Sequence, residues 1–113
     1  MHINRISLDD FRNFEHVELE PGHRFNIIHG QNGQGKTNLV EGIYWLATLR
    51  ALRTTRLREL LRWGQKSTTM TASVRHDGLD HKLGVEFSDG ARQAYREGKK
   101  VRSRDYFGAL QVV

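Results

Sequence analysis

Gly30-Gln31-Asn32-Gly33-Gln34-Gly35-Lys36-Thr37 fits the spacing G-x-x-x-x-G-K-[ST], the phosphate-cradling P-loop or Walker A pattern. An apolar stretch, Phe25-Asn26-Ile27-Ile28, precedes it, and a helical pattern runs on from Lys36. That strand–loop–helix setting is the one the motif requires. A nucleoside triphosphate concentrates several negative charges in a small volume. Glycines let successive backbone N–H groups curl toward those charges, and the following helix presents its positive dipole end. In this reading Lys36 reaches the β- and γ-phosphates and the Thr37 hydroxyl ligates Mg²⁺. The competing reading is a glycine-rich turn that ends in Lys-Thr; the flanking strand and helix speak against it.

At 113 residues the chain is one small domain or a piece of a larger one. With 37% hydrophobic and 27% charged residues it reads as a soluble globular protein, not a disordered tail. No apolar run approaches a membrane span, and the N-terminus lacks the apolar core of a signal peptide. The expected compartment is the cytoplasm, with no membrane partner. Cysteine is absent, which excludes disulfides and thiolate metal sites. The histidines lack metal-ligand spacing.

The net charge of +5 is concentrated. Within 50–66, Arg50, Arg53, Arg56, Arg58, Arg62 and Lys66 face one acid, Glu59, and the remainder of the chain sums to zero. Such a segment suits a phosphate backbone. A solvated helix face or a protein contact is the alternative.

Around the loop, Ile6 and Leu8 alternate with polar neighbours, then come Phe14, Val17 and Leu19, which predicts antiparallel strands. Pro21-Gly22 marks a turn. The run 24–28 is more continuously apolar, as expected of a strand buried at the centre of a sheet. Over 36–49, Leu39, Ile43, Leu46 and Ala47 fall on one helix face, widened by Val40, Tyr44 and Trp45. Gly42 costs that helix about 1 kcal/mol against alanine, which implies a close neighbour. A second helix is expected over 56–63, capped by Thr55, with Leu57, Leu60 and Leu61 inward and Gly64 ending it. A meander follows: Met70, Ala72 and Val74 alternate, then Leu83, Val85 and Phe87, with turns at Asp77-Gly78, Asp89-Gly90 and Glu97-Gly98. A short helical turn is expected at 103–107. Leu110-Gln111-Val112-Val113 reads as the opening of another buried strand, so the sequence is expected to be a truncated one.

Three sets of residues together resemble the RecF family. They are Phe11-Arg12-Asn13-Phe14, the loop continued as Asn38-Leu39 and Glu41-Gly42-Ile43-Tyr44-Trp45-Leu46, and Ala47-Thr48-Leu49-Arg50-Ala51-Leu52-Arg53-Thr54. Gly98-Lys99-Lys100-Val101-Arg102-Ser103-Arg104-Asp105-Tyr106 is similar as well. RecF is the bacterial ATPase of DNA replication and recombinational repair, related to the ABC-type heads of SMC proteins. The resemblance implies an α/β fold, residues 1–113 being the N-terminal part of a P-loop NTPase of the ABC/SMC-like head type with antiparallel strands at its edge. It implies ATP and Mg²⁺ as cofactors, and an ATP-dependent homodimer in the intact protein. It also implies RecR and RecO as partners on single-stranded or gapped DNA, in gap repair and the SOS response. Arg12 matches the family's early basic residue beside the nucleotide phosphates. Arg50, Arg53 and Arg56 stand where SMC-like heads meet DNA or nucleotide.

The family's Asp-Glu strand end, which polarises the attacking water, and its serine-glycine signature do not occur here. ATP turnover is therefore expected of the intact protein and not of these residues alone. Two other readings remain at this stage. One is the head of a different P-loop ATPase, SMC-like or transporter-type, whose basic segment meets a protein partner. The other is a non-catalytic DNA-binding module. A GTPase is disfavoured because no N-K-x-D guanine-reading motif occurs.

Overall fold

In the computed structural model, residues 2–12, 14–20, 25–28, 35–51 and 56–107 are described, with backbone alone at 2, 25–28, 35–37, 76 and 107. Alternation of apolar and polar side chains produces one seven-stranded sheet in the order β3-β2-β1-β4-β5-β6-β7. The strands are β1 (His2–Phe11), β2 (Phe14–Leu19), β3 (Phe25–Ile28), β4 (Ser67–His76), β5 (Leu79–Ser88), β6 (Ala91–Arg96) and β7 (Lys99–Val101). Every pairing is antiparallel. Because side chains alternate across a pleat, register decides which residues share a face. Here it aligns Val17, Leu8, Met70, Val85 and Ala94 across five strands, with Leu19, Ile6, Ala72 and Leu83 in the next row. That face is the core.

The turns follow from the residues placed in them. Asp77-Gly78, Asp89-Gly90 and Glu97-Gly98 all have positive φ at both positions, from 53° to 77°. This is the primed two-residue geometry that suits the right-handed twist of a hairpin. The expected meander is thus present, and it is continuous with β1 through β4.

One helix, α1 (Gly35–Thr48), covers the core face against β4 and β5. Its buried residues are Asn38, Glu41, Gly42, Trp45 and Leu46, continued by Leu49 just past its end. Leu39 and Ile43 are only partly buried, while Val40 (56%) and Tyr44 (37%) are exposed. The sheet-facing stripe is therefore rotated from the one expected, because apolar residues encircle much of the helix and periodicity does not say which flank the sheet takes.

Gly42 has the close neighbour it implied. A Cβ there would lie 3.1 and 3.2 Å from the Leu8 methyls and 3.6 Å from Met70 Sδ. Gly42→Val is expected to cost about 2 kcal/mol by overpacking, read as a lower urea midpoint. Gly42→Ala should stay within about 1 kcal/mol of wild type, since helix propensity offsets the Leu8 displacement. A valine variant as stable as wild type would refute the close packing.

Two further expectations change. β3 is the last strand in the order among the described residues, not a central one. A continuous apolar run reports what covers a strand's faces, not its place in the sheet. The helix expected over 56–63 is a single 3-10 helix, Leu57–Leu60, entered from an extended Arg56 with no side-chain cap. Backbone groups that another helical turn would need are used by the end of β1. Arg12 N–H donates to Leu60 O at 2.7 Å, Arg62 N–H donates to Asp10 O at 2.9 Å, and Leu61 bridges Phe11. The short α2 (Ser103–Phe107) forms as expected, and the buried Tyr106 hydroxyl donates to Leu46 O. Burial pushes that phenol's pKa upward. Pro21-Gly22, Thr55 and the strand expected at 110–113 lie outside the described residues. Among the described residues, no helix is long and apolar enough to cross a membrane.

Candidate functional site

β3 ends at Ile28 and α1 begins at Gly35, so the strand and helix that bracket the phosphate loop are both in place. Gly30, Gln31, Asn32, Gly33 and Gln34 lie outside the described residues. Gly35, Lys36 and Thr37 form the first turn of α1, where backbone N–H groups have no intrahelical acceptor. That turn carries no acidic side chain. The positive end of a fourteen-residue helix is thus not neutralised by a local carboxylate, which fits an anionic ligand. Among the described residues no three His, Asp or Glu gather as a metal cluster.

Arg12 sits at a left-handed φ of 54° at the end of β1. Its Nε donates to Glu41 Oε1 at 2.7 Å and its Nη2 to Glu41 Oε2 at 2.9 Å. Glu41 is fully buried (0%), whereas the Arg12 side chain is 23% exposed. This fork-on-fork pair is the strong geometry for guanidinium and carboxylate. It joins the β1 end to the helix that carries Lys36, five residues before Glu41. Trp45, one turn on, stacks on Phe11 at 5.8 Å, and its buried Nε1 finds no acceptor among the described residues. Sequence reading missed Glu41 because an acid in an amphipathic helix is ordinarily assigned to the solvent face.

Of the three arginines singled out for DNA, Arg50 and Arg56 are exposed, and Arg53 lies outside the described residues. A second basic stretch escaped notice because acids elsewhere cancel it in the total. Within 92–104, Arg92, Arg96, Lys99, Lys100, Arg102 and Arg104 face only Glu97. All but the half-buried Arg96 are exposed. Arg92, Lys100 and Arg102 line a groove of about 490 Å³ with Gln93 and Ser103. The two stretches meet at Arg92, whose Nη1 donates to Leu49 O at 2.8 Å and whose Nη2 donates to Ser103 Oγ at 3.2 Å. Arg50 follows directly, so the cations of 50–66 begin where those of 92–104 are anchored.

Comparison with known proteins bears on both features. A family model described as RecF/RecN/SMC N terminal domain matches residues 2–107. The DNA replication and repair protein RecF of Myxococcus xanthus is 46% identical over 114 residues, covering 100% of this chain and 30% of its own length. The protein of the same name from Geotalea daltonii is 41% identical over 115 residues, covering 100% and 31%. The chain thus spans about three-tenths of the length of the curated relatives it matches. Among solved structures, the recombination mediator protein RecF-ATPrS of the RecFOR pathway superposes with a TM-score of 0.75 at 30% identity, over 90% of this chain and 28% of that one. The SMC head domain from Thermotoga maritima gives 0.68 at 19% identity over 98% and 43%, which speaks to the fold alone.

Proposed function

Since the chain belongs to the family of RecF, RecN and SMC N-terminal domains, we propose that it is the phosphate-gripping N-terminal part of an ATP-dependent DNA-binding protein of replication and recombinational repair. The observation that carries this reading is the Walker A pattern running from the end of β3 into an acid-free first turn of α1. Gly30 to Gly35 supply N–H groups to the phosphates, Lys36 supplies charge, and the Thr37 hydroxyl ligates Mg²⁺. ATP is the nucleotide favoured, because relatives of this fold are described with ATP and ATPrS. Arg12 lies close to the phosphates in this reading, with its charge already shared by Glu41. Positioning and electrostatics do most of the work in such phosphoryl transfer. Turnover also needs an acidic strand end and a serine-glycine signature, neither of which occurs in these residues.

The exposed cations of 50–66 and 92–104 meet the DNA backbone in the same reading. The intact protein pairs through ATP and acts with RecR and RecO on gapped DNA in the cytoplasm, including during the SOS response. Family resemblance and the RecFOR naming of its relatives support that wider assignment.

Each cation that meets a duplex phosphate contributes about 0.9 to the slope of log Kobs against log salt. Replacing Arg50, Arg53 and Arg56 together by glutamine in the intact protein is expected to flatten that slope by about 2.7, measured by fluorescence anisotropy on labelled duplex. An unaltered slope would remove DNA from this segment and assign its charge to a protein contact.

A further inference from the structure

Trp63 is 97% exposed. A tryptophan left in water forgoes more apolar burial than almost any other side chain, and one held at a fixed position is a candidate contact. The backbone beneath it is anchored. Leu60 is buried, Leu61 bridges Phe11, and Arg62 N–H donates to Asp10 O at 2.9 Å. Beyond the indole, Gln65 N–H donates to Arg62 O at 2.9 Å, closing a turn that Gly64 permits by its φ of +82°. The ring is therefore held out from a fixed pedestal at the end of β1.

Its surroundings select the kind of partner. Arg58, Gln65 and Lys66, within five residues of it in the chain, are exposed and line one groove with Phe87 and Asp89, and neither Arg58 nor Lys66 forms an ion pair among the described residues. Arg62 is shared with Asp10 at 3.6 Å. A π face flanked along the chain by cations free of ion pairs has both components of a single-strand nucleic-acid surface: charge for the backbone and a stacking platform for a base. A duplex can use only the first, because its bases are already stacked. A second copy of the chain would meet like charge.

We propose that Trp63 stacks on an unpaired base of DNA while Arg58 and Lys66 hold neighbouring phosphates, so that this surface distinguishes single-stranded from duplex DNA. The proposal rests on the DNA reading given above. It adds a side chain that reads strandedness, which the cations cannot do.

The test uses the intact protein with fluorescein-labelled oligothymidylate and a blunt duplex of equal length. Trp63→Ala is expected to weaken oligothymidylate binding about tenfold more than duplex binding, and Trp63→Phe to restore most of that loss. The salt slope on oligothymidylate should be unaffected by Trp63→Ala, since stacking releases no counterions. It should flatten by about 1.4 when Arg58 and Lys66 are both replaced by glutamine. Equal loss on both substrates, or on neither, overturns the stacking role and leaves the ring to a protein contact. Failure of the wild-type protein to bind either DNA would overturn the underlying DNA reading instead.

Discussion

Lys36→Ala is expected to lower the affinity of the intact protein for ATP by about three orders of magnitude. A unit charge about 4 Å from a phosphate is worth about 4 kcal/mol at an effective dielectric of 20, which converts to that factor. The position concentrates the effect. Lys36 opens α1 directly after the glycine-rich pattern, where the helix dipole and first-turn N–H groups that lack intrahelical acceptors favour an anion. Removing the ammonium leaves those fixed dipoles but not the mobile charge that neutralises the terminal phosphates. Lys36→Arg keeps the charge on a planar, wider group and should recover only part of the affinity. Titration with a fluorescent ATP analogue reads both variants, and wild-type affinity in the alanine variant would overturn the assignment.

The second large effect lies in the packing. Arg12→Ala is expected to destabilise the protein by about 3 kcal/mol, at the lower end of the range for breaking a buried ion pair, because the Arg12 side chain is itself 23% exposed. The loss comes chiefly from Glu41, a fully buried carboxylate deprived of the guanidinium that neutralises it. Adding Glu41→Gln to Arg12→Ala should therefore regain stability, since a neutral amide tolerates the site better than an unneutralised acid. Urea denaturation of the single and double variants gives the comparison. A cost below about 1 kcal/mol for Arg12→Ala, or a double variant less stable than the single, would remove the ion pair as the link between β1 and α1. The two experiments separate roles, because Lys36→Ala should leave the urea midpoint almost unchanged.

Legibility tracked how tightly chemistry restricts residue choice. A phosphate loop tolerates few substitutes for its glycines, lysine and threonine, and the strand and helix expected on either side of the pattern are present. The turns at Asp77-Gly78, Asp89-Gly90 and Glu97-Gly98 were equally plain, because left-handed backbone at both positions narrows the choice. Gly42 announced its close approach to Leu8 for the opposite reason, as a helix position where a side chain would have been favoured. What stayed hidden depended on tertiary pairing. Residues 56–63 have the spacing of a helix, yet Leu60, Leu61 and Arg62 give their backbone groups to β1, a preference no local pattern records. Nothing in the helix pattern sets Glu41 apart from a solvent-facing acid; its burial depends on Arg12 opposite it. The cations of 92–104 were concealed by arithmetic, since acids outside the segment, among them Asp105 paired with Arg102, cancel their sum.

The tight two-residue turns also impose a timetable on folding. Within β4 to β7 every pairing joins chain neighbours across the shortest loops available, so these hairpins can zip in microseconds. The β1–β4 seam must instead bring together segments at least as distant as Asp9 and Thr68, 59 positions apart, and that closure carries an entropic toll the hairpins escape. The meander is therefore expected to form early, and α1, which meets Leu8 and Phe11 of β1 as well as β4 and β5, packs fully only once β1 has joined it.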